Sequence, residues 1–529
     1  MTTPGPISRR SFLNLIGAAG GSAAVHRAAL GLGLLPVVAQ ASRPDIAPLG
    51  HERRRVLILG AGIAGLTAAY ELSRAGYDCL VLEASHRAGG RNLTLRHGDR
   101  VDELGHSQVC EFDADPHLYF NAGPARIPGQ HAALLDYCRE LGVELVPFIN
   151  DNRSAWLQDD AAFGGKPIRI REYLADTRGF MAELLAKSLR AEQLDAPLSG
   201  ADLQRLRDLV QAFGDLDAAG SYRGSARAGH ATGGFTAPAE LKQVLGRPEL
   251  LQMGVGQTAM SFAEMEDQAP MMMEPVGGMD RIVDGFMARV GKRVQTRCQV
   301  ESIELRERGV HVVYRYRGER HAVSADFCLN SIPMQLLAGI THNFPADYSA
   351  AFTAVPRGKL LKIGLQAKER FWERERIYGG ISWTMQDIVQ IWYPSHGIHR
   401  QKGVILGAYT YADATGDKIA RLAPAERLEF ALRQGEKVHP DYRQYIENGV
   451  SIPWQRMNHM LGCAARWSDE LRTRWFKRVQ DPEGRHYLIG DQISYHPGWQ
   501  EGAIQSAFYA ISEIDRRVRA EAPVGTPRA

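Results

Sequence analysis

The chain has 529 residues, 44% of them hydrophobic and 23% charged, with a formal net charge of +3. That length fills two or three domains, the composition is ordinary for a globular protein, and the near-neutral charge, with no basic run interleaved with aromatics, argues against a nucleic-acid partner. The six cysteines, at 79, 110, 138, 298, 328 and 463, form no CxxC pair, so neither a metal site nor a disulfide framework is expected from them.

The first forty residues read as an address. "SRRSFLNLIGAAGGSAAV" opens with Ser8, Arg9, Arg10 and Phe12 ahead of a mildly apolar Gly/Ala run, and "AQA" at Ala39–Ala41 offers a cleavage site. The pattern resembles a twin-arginine export signal over 1–41. An ordinary basic N-terminus and a membrane anchor are the alternatives, but His26 and Arg27 interrupt the apolar run and weaken the anchor. The twin-arginine machinery moves folded proteins, which suits one that loads a cofactor first. The expected location is a bacterial periplasm or the medium, with no stable membrane anchor after cleavage.

Val56–Leu59 is short and continuously apolar, as expected of a parallel strand covered on both faces. Gly60, Gly62 and Gly65 follow with GxGxxG spacing, then Ile63, Leu66, Ala69, Tyr70 and Leu72 recur at helical intervals until Gly76. A second apolar strand, Cys79–Leu82, ends in Glu83. Gly60 permits a tight turn, Gly62 lets backbone approach a pyrophosphate at the helix N-terminus beside Ile63 and Ala64, and Gly65 brings helix against strand. Glu83, with Ala84 beside it, is placed to accept from adenosine ribose hydroxyls. The order strand, glycines, helix, strand, acid makes a dinucleotide site, without separating NAD from FAD.

The next stretch separates them. "HRAGGRNLT" carries Arg87, Gly89, Gly90, Arg91 and Thr94, an RxGGRxxT pattern directly after the acid. It resembles the two-dinucleotide FAD fold of the flavin amine oxidases, a family of monoamine, polyamine and L-amino acid oxidases. The resemblance implies an α/β protein with a GR2-type, Rossmann-like FAD domain, a mixed-sheet substrate domain and a helical subdomain. The FAD domain is expected in three pieces, 52–115, 271–332 and 461–519. The substrate domain takes 116–150 and 333–460, and the helical subdomain takes 151–270.

"YFNAGPARIPGQH" holds Arg126 in a loop stiffened by Gly123, Pro124 and Pro128 with Ala125 between. Taken alone it is a surface turn whose arginine meets water. It closely resembles the GP-x-R-[IL]-P loop that lies over the flavin in the L-amino acid oxidase branch, where the arginine clamps the substrate carboxylate. A rigid guanidinium matches carboxylate bidentately. Farther on, Leu203, Leu206, Leu209, Val210 and Phe213 recur at three- and four-residue steps and predict a helix with an apolar stripe.

"EPVGGMDRIVDGF" at 274–286 resembles the family's re-entry into the FAD domain, and alternation over Val300–Leu305 and Val310–Tyr316 predicts hairpin strands. By the resemblance, Val300 pairs its backbone with adenine. Lys362 sits in an apolar alternating strand with Leu360, Leu361, Ile363 and Leu365, nine residues before Phe371. A lysine there must reach solvent or a polar site, and it matches the family lysine that holds a water against flavin N5. "QIWYPSHG" matches the segment carrying a carboxylate-binding tyrosine, assigned to Tyr393 with Trp392 as the neighbouring alternative.

"RHYLIGDQIS" gives a strand ending in Gly490 and Asp491, where the family acid holds the ribityl or phosphate region of FAD. Ala503, Ile504, Ala507, Phe508, Ile511 and Ile514 predict a helix beginning near Trp499–Glu501, so Gln500 and Ala503 fall beside the flavin N1–C2=O edge. Trp499 supplies an aromatic wall, and the Gly498 carbonyl is placed to accept from a substrate amine. The monoamine oxidases of this family carry a flavin-linking cysteine just before the comparable aromatic, whereas Trp499 has Pro497, Gly498 and Gln500 as neighbours, so FAD is expected to be noncovalent. The implied function is an FAD-dependent L-amino acid oxidase, in which a hydride from Cα of an L-amino acid passes to flavin N5 and then to O2. The products are a 2-oxo acid, ammonia and peroxide. A homodimer is the family expectation. Alternatives are an amine oxidase, an amino-acid oxidative decarboxylase or a quinone-linked dehydrogenase on the same fold, and, from another class, a non-catalytic FAD-binding periplasmic protein.

Overall fold

The computed structural model describes residues 43–50, 53–189 and 198–521, and the expected export signal at 1–41 lies outside them. A five-stranded parallel sheet runs in the order Val294–Gln295, Asp78–Leu82, Arg55–Leu59, Phe327–Asn330, His486–Leu488. Successive strand side chains point to opposite faces. Val56, Ile58 and Val81 therefore join the core under the helices Ile63–Arg74, Arg281–Val290 and Gln500–Glu521. Leu57, Leu59 and Leu82 enter a second core, beneath the antiparallel strands Cys298–Arg306, Gly309–Tyr316 and Glu319–Ala325. Cover on both faces is why these strands are uninterrupted apolar runs.

The substrate side is a seven-stranded mixed sheet in the order Ile168–Arg169, Trp156–Gln158, Gly380–Thr384, Gln390–Tyr393, Gly403–Thr410, Leu361–Ala367, Ile446–Pro453. Its pairs are antiparallel except Gly380–Thr384 with Trp156–Gln158. A three-stranded sheet joins Ile127–Pro128 and Leu145–Phe148 through Met272–Pro275.

Three expectations shift against this architecture. The stretch 151–169, assigned to the helical subdomain, contributes two strands to the large sheet. The short helices Met334–Leu337 and Ala346–Ala354, assigned to the substrate domain, bury Met334, Leu337, Tyr348 and Phe352 against the dinucleotide sheet. The helix predicted around Leu203 exists as Gly200–Gly214, but its stripe is not a core face. Val210 is buried with Ala182, Leu216 and Tyr222, whereas Leu209 and Phe213 are 64% and 52% exposed. Among the described residues, the helix buries its Val210 side while Leu209 and Phe213 stay largely exposed, so only part of its apolar surface is covered.

Candidate active site

A cavity of about 880 Å³ opens where the parallel strands end, lined by Gly60, Glu83, Ser331 and Gly490 at one side and by Arg126, Lys362 and Trp499 at the other. Its dinucleotide end follows from the first βαβ unit. No side chain caps the N-terminus of the helix Ile63–Arg74, and Gly62, Ile63 and Ala64 line the cavity. The first N–H groups of that helix are thus presented to an anion, together with the positive end of its dipole. A Cβ on Gly65 would stand 2.0 Å from the Gly60 carbonyl oxygen, so glycine there is a packing requirement.

Glu83, 4% exposed, accepts the Ala61 N–H at 2.7 Å on one oxygen and the Ser85 N–H at 2.8 Å on the other. Each oxygen keeps a lone pair for a ribose hydroxyl. Ala84, Gly90 and Val300 also face the cavity, and Val300 sits where the hairpin register shifts. An uncapped helix N-terminus, glycine backbone and an acid at the next strand end, in an elongated cavity, are what a bound FAD requires.

The middle of the cavity is braced by Arg91 and Asp491. Arg91 donates to both carboxylate oxygens of Asp491 and to the Cys463 carbonyl, and the Gly498 N–H donates to Asp491 at 2.7 Å. Burial alone would raise the Asp491 pKa, but Arg91 overrides it and holds the group below the ordinary carboxylate range. Asp491 is therefore engaged with protein groups, and its effect on a ligand passes through Arg91 and the turn before Trp499. The helix Gln500–Glu521 starts where the sequence placed it. Gln500 accepts from Asn92 Nδ2 at 2.9 Å, and Ala503 lines the cavity.

At the far end the loop 123–126 crosses the cavity. A Cβ on Gly123 would lie 1.8 Å from the Arg91 carbonyl oxygen, which locks the loop against the RxGGR segment, and Pro124 and Ala125 carry it on to Arg126. The Arg126 guanidinium lies 4.5 Å from the Trp392 ring centre, 5.7 Å from Trp499 and 6.0 Å from Phe262. Burial pushes its pKa down to about 10, so it is still charged at neutral pH. Lys362 is 3% exposed and donates to the Gly123 carbonyl at 2.5 Å. Its Nζ lies 4.8 Å from the Tyr409 ring centre and 5.8 Å from Trp392. Burial first, then the Arg126 charge, lowers its pKa to about 7.

Tyr393 is elsewhere. It alternates with Trp392 along one strand, and only Trp392 turns toward Arg126. The Tyr393 hydroxyl is 2.7 Å from Ser382 Oγ and 2.6 Å from His439 Nε2 in a buried network, so it is not placed to meet a ligand carboxylate. The aromatic face here belongs to Trp392, Tyr409 and Trp499. Tyr409 and Tyr411 line the cavity and were missed, although "GVILGAYTY" alternates and puts both on one side of a strand. Gln268, whose Oε1 accepts from Arg126, and Arg357, which donates to the Gly462 and Cys463 carbonyls, carried no sequence signal.

Comparison with known proteins agrees with the geometry. The model of the family described as flavin containing amine oxidoreductase matches residues 63–514. The flavin-dependent L-tryptophan oxidase RebO of Lentzea aerocolonigenes is 28% identical over 510 residues, covering 88% of this chain and 98% of that one. An L-amino-acid oxidase of Siganus canaliculatus is 27% identical, covering 89% and 87%. Among solved structures, the cyclohexylamine oxidase of Brevibacterium oxydans IH-35A aligns with a TM-score of 0.59 at 17% identity, over 90% of this chain and 100% of that one.

Proposed function

Because the chain belongs to the flavin-containing amine oxidoreductases, with FAD as cofactor, we propose that it is an L-amino acid oxidase. An L-amino acid, O2 and water would give a 2-oxo acid, ammonia and H2O2. The observation that carries this reading is Arg126. A guanidinium is set deep among aromatic rings, and no described carboxylate forms an ion pair with it. A buried charge without a protein counter-ion is costly, and a ligand carboxylate is the group that relieves it. The L-amino acid oxidases and the L-tryptophan oxidase among the relatives support the same choice by name.

FAD, when bound, supplies the two-electron acceptor for the Cα–H bond and passes the electrons to O2. The chain's own groups do the rest. Arg126 fixes the carboxylate and thereby the position of Cα. Trp499 and Tyr409 wall the substrate and exclude water, and the Gly498 carbonyl accepts from the amine. Lys362, lowered to about 7, has a largely neutral amine in mildly basic solution, which suits it to exchange a proton with a water in the cavity.

The test is peroxide and ammonia release by the purified yellow protein offered L-amino acids, D-forms and simple amines, with Arg126→Ala in parallel. Turnover of L-forms only, largely lost in the variant, is expected. Turnover of amines indifferent to the substitution would move the protein to the amine-oxidase reading. Two further parts of the proposal rest on sequence alone. Ser8–Phe12 and Ala39–Ala41 support export by the twin-arginine route, which loss of the protein from a periplasmic fraction in an Arg9→Lys, Arg10→Lys variant would check. The homodimer rests on the family resemblance and is read by solution mass.

A further inference from the structure

The amide against Arg126 is held in place with more care than a loop side chain needs. The Gln268 N–H donates to the Met265 carbonyl at 2.8 Å, and its own carbonyl accepts from Asn150 Nδ2 at 2.7 Å. Next to it stands an acid, Asp267, which the same turn directs away from the guanidinium. Its carboxylate takes Gln130 Nε2 at 3.1 Å and lies 3.3 Å from His131 Nε2. His131 in turn packs edge-on against Trp499, with ring centres 5.0 Å apart. So the loop brings one acid and one amide to the neighbourhood of Arg126, pairs the acid with His131 while its charge still acts on the cation from beyond ion-pair distance, and sets the neutral amide directly against it. Among the described residues, Arg126 Nε has no hydrogen-bond partner.

We propose that Gln268 is the residue that sets this site's choice of amino acids over amines. Its amide oxygen satisfies one N–H of Arg126 without neutralising the charge, so the guanidinium stays oriented and remains attractive to an incoming carboxylate. An acid at 268 would form the internal ion pair that Asp267 is turned away from making. The substrate carboxylate would then have to break that pair, whereas a primary amine lacking the carboxylate would find the cavity electrically balanced. The inference rests on the functional reading above and adds the cause of its selectivity.

The experiment uses the FAD-loaded full chain, its flavin content measured for each variant. Gln268→Glu is expected to raise KM for the best L-amino acid at least about 30-fold, in line with neutralising a buried charge partner, with a smaller change in kcat. It should also release peroxide from the decarboxylated counterpart of that amino acid. Gln268→Leu, which removes the hydrogen bond but adds no charge, is expected to raise KM only about 2- to 10-fold. Benzoate, which cannot be oxidised, supplies an independent readout through its perturbation of the flavin spectrum, and its dissociation constant should follow the same order. A glutamate variant that keeps the wild-type KM and benzoate affinity overturns the inference, as does a leucine variant as impaired as the glutamate. Wild-type protein that oxidises no L-amino acid would instead sink the functional reading, and the benzoate series would still decide the role of Gln268.

Discussion

Replacing Lys362 by methionine should stabilise the flavin-free protein by an amount that depends on pH in a calculable way. The folded environment lowers the Lys362 pKa from 10.5 to about 7, by burial and then by the charge on Arg126. Below pH 7 the folded chain carries a buried ammonium at a cost of about 5 kcal/mol, at about 1.4 kcal/mol for each pH unit between the two values. Above pH 7 the folded form gives up the proton while the unfolded chain keeps it until about pH 10.5. The cost then falls by about 1.4 kcal/mol per pH unit and vanishes near 10.5. Methionine removes the titration, keeps an apolar group beside the Tyr409 and Trp392 rings, and loses the bond to the Gly123 carbonyl, a cost of about 1 kcal/mol. Thermal melts of both apoproteins at pH 6, 7.5 and 9 are the assay. The variant should melt above the wild type at pH 6, and the gap should close steadily as pH rises. A gap that is flat, or that widens with pH, would refute the assignment of a depressed lysine, and with it the neutral amine the proposed chemistry uses.

Tyr393→Phe should leave kcat/KM for L-amino acids within about twofold while lowering the melting temperature, because Ser382 and His439 lose a buried partner worth about 1–3 kcal/mol. A tenfold loss of carboxylate affinity would return Tyr393 to the site. Gly65→Ala should yield colourless protein, since the added methyl would sit 2.0 Å from the Gly60 oxygen and push helix from strand. Stoichiometric flavin in that variant would contradict the packing argument. Asp491→Asn preserves shape but cannot hold the Arg91 charge. It should weaken FAD at least about tenfold in a dissociation titration, given the 3–5 kcal/mol typical of breaking a buried pair, and unchanged affinity would show that Arg91 is indifferent to its partner.

The dinucleotide half was legible because its constraints are local. A strand, three glycines and an acid within thirty residues must fold in one way to make sense, and Gly60, Gly65 and Glu83 stand where that logic puts them. The start of the helix at Gln500 was equally local. The substrate end was legible only where a motif was rigid, as around Arg126. Tyr393 failed because a register difference of one residue along a strand turns a side chain to the opposite face, and "WY" offers no internal signal for which of the two looks inward. Gln268 reaches Arg126 across 142 positions of chain, a juxtaposition fixed by tertiary packing alone. The stripe at Leu203–Phe213 shows the converse error, since a periodic pattern reports that a face is apolar and not what lies against it.

Glu501 has a quieter consequence. It sits in the first turn of the C-terminal helix, yet its carboxylate accepts from the N–H groups of Leu134 at 2.9 Å and Ala133 at 3.3 Å, at the start of the helix Ala132–Leu141. That helix continues directly from the loop bearing Arg126, and Glu501 follows Trp499 by two residues. One buried carboxylate thus rivets the cation and the aromatic wall into a single rigid bracket, although they come from opposite ends of the chain. The bracket also reaches the turn that presents Gln268, because Asp267 lies 3.3 Å from Nε2 of His131, the residue just before that helix, so the amide against Arg126 is fixed to the same frame.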